Sequence, residues 1–300
     1  MTLHNPVTQV VLPLFVIAVM FALGTTLTRE DLTRVLRRPR GFVVGVLTHA
    51  LLLPLLAFAL ALGLGLPKAL AVGLVLIASC PAAAPANLFT HVARGDTMLC
   101  VCLTAAASLT SVVTVPLFVN AALHLFSEGQ GAGRLPVLSS SLALFVVSTL
   151  PVAAGMLLRR RRPAAARAVE ARMGAVGLAA IPVLVAAVVW TEKDNVLSAL
   201  ARAGGPALLL NVVAISLAGG IAALAGLDRG QRIAVMLECG LQNFAMAAFV
   251  ALTLLSDASL LLPPLAYGLL CFPSAGLIVV LGRRAAEKEA ARTQREVRRA

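Results

Sequence analysis

The sequence predicts an all-α integral membrane protein. Of its 300 residues 60% are hydrophobic and only 13% are charged, and the mean hydropathy is +0.95. Soluble domains run at about half apolar and about a quarter charged, so a surface of this composition needs lipid as its solvent. Trp190 and Tyr267 are each the single member of their type, so hydropathy and charge carry the prediction rather than an aromatic belt.

Crossing a bilayer as a helix takes about 20 apolar residues, because every backbone polar group in lipid must bond within its own segment. Nine stretches qualify: 9–28, 41–63, 69–90, 97–125, 136–158, 173–190, 206–226, 233–255 and 260–282. The first eight residues hold no Lys or Arg, and the first stretch runs into a basic cluster rather than a small-residue cleavage site. It is therefore expected to stay as a helix and not to act as a signal peptide. The second carries His49 and Pro54, the third the run SCPAAAPAN, and the eighth the run ECGLQN. The fourth is the longest and is expected to tilt or to extend past the lipid.

Alternating the connections puts 21 of the 25 Lys and Arg residues on one side, from Arg29 through Arg94, Arg159 and Arg232 to the basic tail. Lys68, Arg134, Lys193 and Arg202 fall on the other. By the positive-inside rule the N-terminus is outside and the C-terminus in the cytoplasm of a cell membrane, with one transporter domain over 1–282 and a solvated helix-prone tail over 283–300. The net charge of +12 and pI near 11.1 then express topology, and no nucleic-acid partner is implied. Cys80, Cys100, Cys102, Cys239 and Cys271 all lie in apolar stretches without CxxC pairing, as small buried hydrophobes do, and no metal site follows from them.

Two stretches are interrupted. Pro81 and Pro85 remove amide donors from the third, which should break near Pro81. In the eighth an acid, a glycine and two carboxamides fall together. Freed backbone at that depth survives only inside protein or beside water. Five helices separate the two interruptions, so the halves have opposite orientation, with the third and eighth helices as counterparts. Paired broken helices in opposed halves point to a secondary transporter with its site at the midplane.

Glu238 is the leading site residue, since a carboxylate near the bilayer centre costs about 3 kcal/mol and needs a cation, a proton or a bonded partner. The competing reading is a glutamate that snorkels to the helix end. Gln242 and Asn243 follow within about a turn, and Asn87 sits just past the double-proline break. His49 lies mid-span, and histidine is the residue type whose ordinary charge change falls near neutral pH, which raises proton coupling through His49 and Glu238. Half-helix N-termini suit an anionic substrate group. With no Lys or Arg at mid-membrane, those dipoles, Asn87, Asn243 and the coupling cation must hold the anion, and Thr90 is expected to face it too.

Pro54, the run GLVLIASCPAAAPANLFTHVARGD with Thr104 after it, and the later ECGLQN together resemble the bile acid:sodium symporters, a family that includes bacterial carriers of small organic anions. The resemblance covers most of the chain. It implies an inverted-repeat transporter with two broken, crossing helices, a core domain (41–125 and 206–282) and a panel domain (9–28 and 136–190), in the manner of nine-helix members. It further implies two sodium sites: Asn87, Thr104 and Glu238 at one, and Glu238, Gln242 and the carbonyls of Cys239 and Leu241 at the other, with His49 at the position of a second-helix ligand.

Ala86, Cys100 and His49 depart from the family's oxygen-bearing residues, and its usual PGG is PAAA here. Hard cations favour oxygen, so these departures weaken both sites. An arsenite exporter or auxin-type efflux carrier of related fold is the alternative, with Cys80 as its thiol. No Ser/His/Asp set, aspartate pair or HExxH supports an enzyme, and a single-chain inverted repeat argues against a static channel.

Overall fold

The computed structural model describes residues 10–37, 39–126, 134–172 and 193–297, and among these every element is helical apart from one isolated bridge. The chain forms α1 (Leu12–Thr26), α2 (Arg29–Arg37), α3 (Pro39–Gly63), α4 (Lys68–Ser79), α5 (Pro85–Val92) and α6 (Thr97–Phe126). It continues with α7 (Val137–Arg161), α8 (163–172), α9 (Lys193–Leu224), α10 (Arg229–Gly240), α11 (Phe244–Leu254) and α12 (Leu262–Val297). Among the described residues five segments are long and apolar enough to cross a membrane: Pro39–Gly63, Thr97–Phe126, Val137–Arg161, Leu200–Leu224 and Ala258–Glu289. The expected stretch 173–190, with Trp190, lies outside the described residues.

Proline is accommodated in two of these spans by a single widened turn. In α3 the amide of Leu53 reaches back five residues to the Thr48 carbonyl, just before Pro54. In α7 Leu150 does the same to Phe145, just before Pro151. A π-type turn lets the helix pass a residue that has no N–H to donate, and such turns are common at functional sites. His49 sits in the first of them.

Two boundaries differ from the sequence expectation. The helix expected from 206 begins at Lys193, so Lys193 and Arg202 are helical rather than in a connection, and Pro206 lies inside the helix. The run VLSALARA ahead of Gly204 is rich in good helix formers, and one proline costs a single interior bond. The last helix likewise continues past 282 to Val297, through a tail with neither Gly nor Pro to stop it.

The interrupted stretches lie at the centre. At 1.5 Å per residue, α4 and α10, with 12 residues each, span roughly 18 Å, well short of a hydrocarbon core of about 30 Å. Neither is long enough to cross by itself. Ala71 through Ser79 are all buried, and α4 packs against α3, α6 and α12. α10 packs against α9, α6 and α5. Their apolar surfaces are thus taken up by protein, while Leu109, Val113 and Leu117 on α6 and Leu138 and Leu142 on α7 face outward, as a lipid-facing surface requires.

α1 and α7 touch backbone to backbone. A Cβ on Gly24 would strike the Val152 carbonyl, and one on Gly155 would strike the Phe21 carbonyl and the Gly24 backbone. Small residues at such crossings let helices gain close packing that lipid cannot offer. Gly155→Val is therefore expected to destabilise the protein by about 1–3 kcal/mol in detergent melting experiments. Gly63→Ala, which meets nothing within 4 Å, should stay within about 0.5 kcal/mol.

Candidate functional site

Local chemistry sets both breaks. Cys80 precedes a proline and is extended (φ −74°, ψ 154°), so α4 stops at Ser79. α5 then starts on Pro85, a position where the missing N–H costs nothing. On the other side Leu241 leaves the helical region (φ −110°, ψ 89°), and α11 restarts under a cap in which Asn243 Oδ1 accepts from the Met246 amide at 3.1 Å.

The two gaps satisfy each other. Ala83 N–H donates to the Leu241 carbonyl at 2.7 Å and Asn243 N–H to the Pro81 carbonyl at 2.9 Å, an antiparallel bridge that sets Ala82 opposite Gln242. Backbone groups freed inside a membrane protein need partners of this kind. The remaining carbonyls at the end of α10 are met by side chains. Gln242 Nε2 donates to Glu238 O at 3.3 Å and Cys239 O at 3.1 Å. Tyr267 and Asn211 serve Cys239 O and Gly240 O.

The position of Glu238 along α10 is set by where that helix starts. Asp228 caps α10 through a reciprocal box with Gln231, and Arg229 ties that end to the Gly282 carbonyl (2.9 Å) and to Glu289 (3.4 Å) on α12. Glu238 lies nine residues beyond Arg229, a rise of roughly 14 Å, or about half the hydrocarbon thickness. It is 1% exposed, so it does not snorkel.

Its two carboxyl oxygens differ. Oε2 accepts from Thr104 Oγ1 at 2.8 Å and lies 3.7 Å from the Cys100 thiol, while Thr90 Oγ1 stands 3.3 Å from that sulfur and 2.7 Å from the Ala86 carbonyl. Oε1 is buried with no partner. Gln242 Oε1 and Asn87 Oδ1 are in the same position. Among the described residues the ion pairs are Arg159–Glu170 and Arg229–Glu289, so Glu238 has no basic side chain against it. Buried acceptor oxygens without donors are suited to a cation or to ordered water.

The structure brings Glu238, Thr104, Cys239, Leu241 and Gln242 together, and joins Thr90 to them through Cys100. His49 joins through Nε2, 3.1 Å from the Cys80 carbonyl, with its Nδ1 unpartnered. Asn87 makes no hydrogen bond to Thr104 or Glu238, though all three belong to one expected ligand set; its buried Oδ1 stays free. Asn243 uses its side-chain oxygen in the helix cap, and its side-chain N–H groups make no such bond there. Asn211 and Tyr267 were absent from the expected site. The signals for them are slight: one asparagine inside LLLNVVAIS and the only tyrosine in the chain. The thiol of Cys80 is fully buried.

Thr104→Val keeps the shape of the side chain but removes the donor to Glu238. It is expected to cost about 1–3 kcal/mol in ion-free thermal unfolding, with Ser216→Ala, an exposed position, as the neutral control.

The Sodium Bile acid symporter family matches residues 13–199 of this chain. An uncharacterized sodium-dependent transporter of Bacillus subtilis (strain 168), YocS, is 31% identical over 241 residues, which cover 79% of this chain and 72% of the relative. The probable sodium/metabolite cotransporter BASS2, chloroplastic, of Oryza sativa subsp. japonica is 29% identical over 238 residues, 77% of this chain and 54% of the relative. A sodium-dependent organic anion transporter of Mus musculus is 31% identical over 147 residues, 48% of this chain and 38% of the relative. The chain thus spans about half the length of the rice relative and less of the mouse one.

Proposed function

The chain belongs to the sodium bile acid symporter family, and from that we propose that it is a sodium-coupled carrier that moves a small organic anion across the cell membrane by alternating access. The family and these relatives are transporters, so the chain is not an enzyme. The observation that carries the reading is that three side-chain oxygens on the two interrupted stretches, Glu238 Oε1, Gln242 Oε1 and Asn87 Oδ1, are buried with no donor. Those oxygens ask for positive charge, and sodium is the ion named for the relatives.

In this reading nine helices form an inverted repeat, with α4–α5 and α10–α11 as the crossing pair inside a core domain (41–125 and 206–282) and a panel domain (9–28 and 136–190) beside it. Asn87, Thr104 and Glu238 serve one sodium ion. Glu238, Gln242 and the carbonyls of Cys239 and Leu241 serve the other, with His49 close by. The substrate anion meets Asn87, Thr90 and the amide of Asn243, with the half-helix N-termini and the cations supplying the charge. Glu238, Gln242 and Thr104 are each at most 2% exposed, a closed arrangement that must open to one side at a time for transport. The excess of Lys and Arg in the connections supports a cytoplasmic C-terminus and an outside N-terminus.

Uptake into proteoliposomes across a panel of labelled carboxylates and other organic anions tests this. An inward sodium gradient should drive accumulation of at least one of them where choline does not, and Gln242→Leu should raise the half-saturating sodium concentration by roughly tenfold, the equivalent of one lost ligand of about 1.4 kcal/mol. Equal uptake in sodium and choline would remove the sodium coupling. Uptake driven by a pH gradient alone would move the coupling to His49 and Glu238.

A further inference from the structure

Two side chains at the end of α10 have no part in that reading. Tyr267 of α12 and Asn211 of α9 are both 0% exposed, and they bond to each other and to the backbone where α10 stops. Asn211 Nδ2 donates to the Gly240 carbonyl at 2.7 Å and lies 3.1 Å from the Tyr267 oxygen. That oxygen stands 3.1 Å from Gly240 O and 3.3 Å from Cys239 O. A phenol carries one proton, and the shorter amide bond already serves Gly240, so the hydroxyl proton is available to Cys239.

Space filling does not account for the pair. Phenylalanine and leucine would occupy the same volumes with no polar groups to bury. Asn211 keeps its Oδ1 buried without a partner, so the carboxamide is held there for its N–H groups and the carbonyl they reach. Gly240 fits the same account, since a Cβ on it would run into Ile215 of α9, the helix that carries Asn211.

Gln242 gives the clamp its purpose. Its Nε2 now donates to the carbonyls of Glu238 and Cys239, so an N–H group stands where those oxygens would meet a cation. A cation entering there displaces that donor, and the carboxamide turns over to present Oε1 instead. During this exchange Cys239 O loses its bond from Gln242, and Tyr267 remains as its donor. From this arrangement we infer that Asn211 and Tyr267 are positioning residues of the cation site, which hold the Cys239 and Gly240 carbonyls in register independently of Gln242. The inference rests on the assignment of the Cys239 carbonyl to sodium made above.

Tyr267→Phe keeps the ring and deletes the hydroxyl. In proteoliposomes the half-saturating sodium concentration should rise roughly five- to tenfold, the effect of one lost hydrogen bond, while half-saturation by the organic anion at saturating sodium moves less than about twofold. Asn211→Leu should shift sodium the same way, and the double variant should exceed the larger single effect only slightly, because the two act as one unit. Sodium half-saturation within about twofold of the parent in both single variants would overturn the inference. So would sodium and anion values that rise together with a fall in the sodium-free melting midpoint, the pattern of a packing defect. If Tyr267→Phe fails to insert, the same titration on Asn211→Ser decides. A parent protein indifferent to sodium would remove the cation reading itself, whereas a sodium-dependent parent with unshifted variants would remove only the positioning role.

Discussion

Backbone polar groups have nowhere to go in hydrocarbon, and the rest of this molecule is arranged around that constraint. Each interrupted stretch frees amides and carbonyls in the buried interior, where an unsatisfied group costs on the order of several kcal/mol. Two hydrogen bonds across the gaps, Ala83 to Leu241 and Asn243 to Pro81, let the interruptions supply each other. Neither break is tenable alone. The pairing also explains why α4 and α10 are so fully enclosed, since irregular backbone at this depth requires protein on all sides.

What the pairing creates is an excess of acceptors. Glu238 Oε1, Gln242 Oε1 and Asn87 Oδ1, on the two interrupted stretches, stay buried without a donor, although Thr104, Cys100, Gln242, Tyr267 and Asn211 satisfy other acceptors around them. The carboxyl is uneven: Oε2 holds the hydroxyl and the thiol, and Oε1 is open. A buried charge left uncompensated is costly, so in the proposed reading a cation beside Glu238 adds stability to the packed helices. Such a coupling between occupancy and packing, as proposed for this chain, would let the ion bias which arrangement of helices is favoured.

How much of this was legible in the sequence follows from how each feature announces itself. Pro81 and Pro85 declare their break because proline lacks a donor, so SCPAAAPAN marks the interruption by itself. The α10 break contains no proline and showed only as polar residues clustered in ECGLQN. Glu238 and Gln242 stand out as polar groups in an apolar run, whereas Thr104 is marked only by the family resemblance; the structure bonds Thr104 to the Glu238 carboxyl and Gln242 to the Glu238 carbonyl. Asn211 and Tyr267 did not stand out, because a single asparagine or tyrosine in a span is usually a packing residue and their shared target is backbone, which no pattern of side chains reveals. The cap made by Asn243 and the widened turn around His49 are also backbone matters. Lys193 and Arg202 were misplaced because Gly204, Gly205 and Pro206 read as a boundary that a long helix absorbs.

Equilibrium binding of radioactive sodium to the purified protein, with no substrate present, tests the central claim most directly. Saturable binding in the parent, abolished in Glu238→Gln while that variant stays folded, is the result expected of a cation site at the crossover. Binding that is absent from the parent, or unchanged when the carboxylate is replaced, would contradict it.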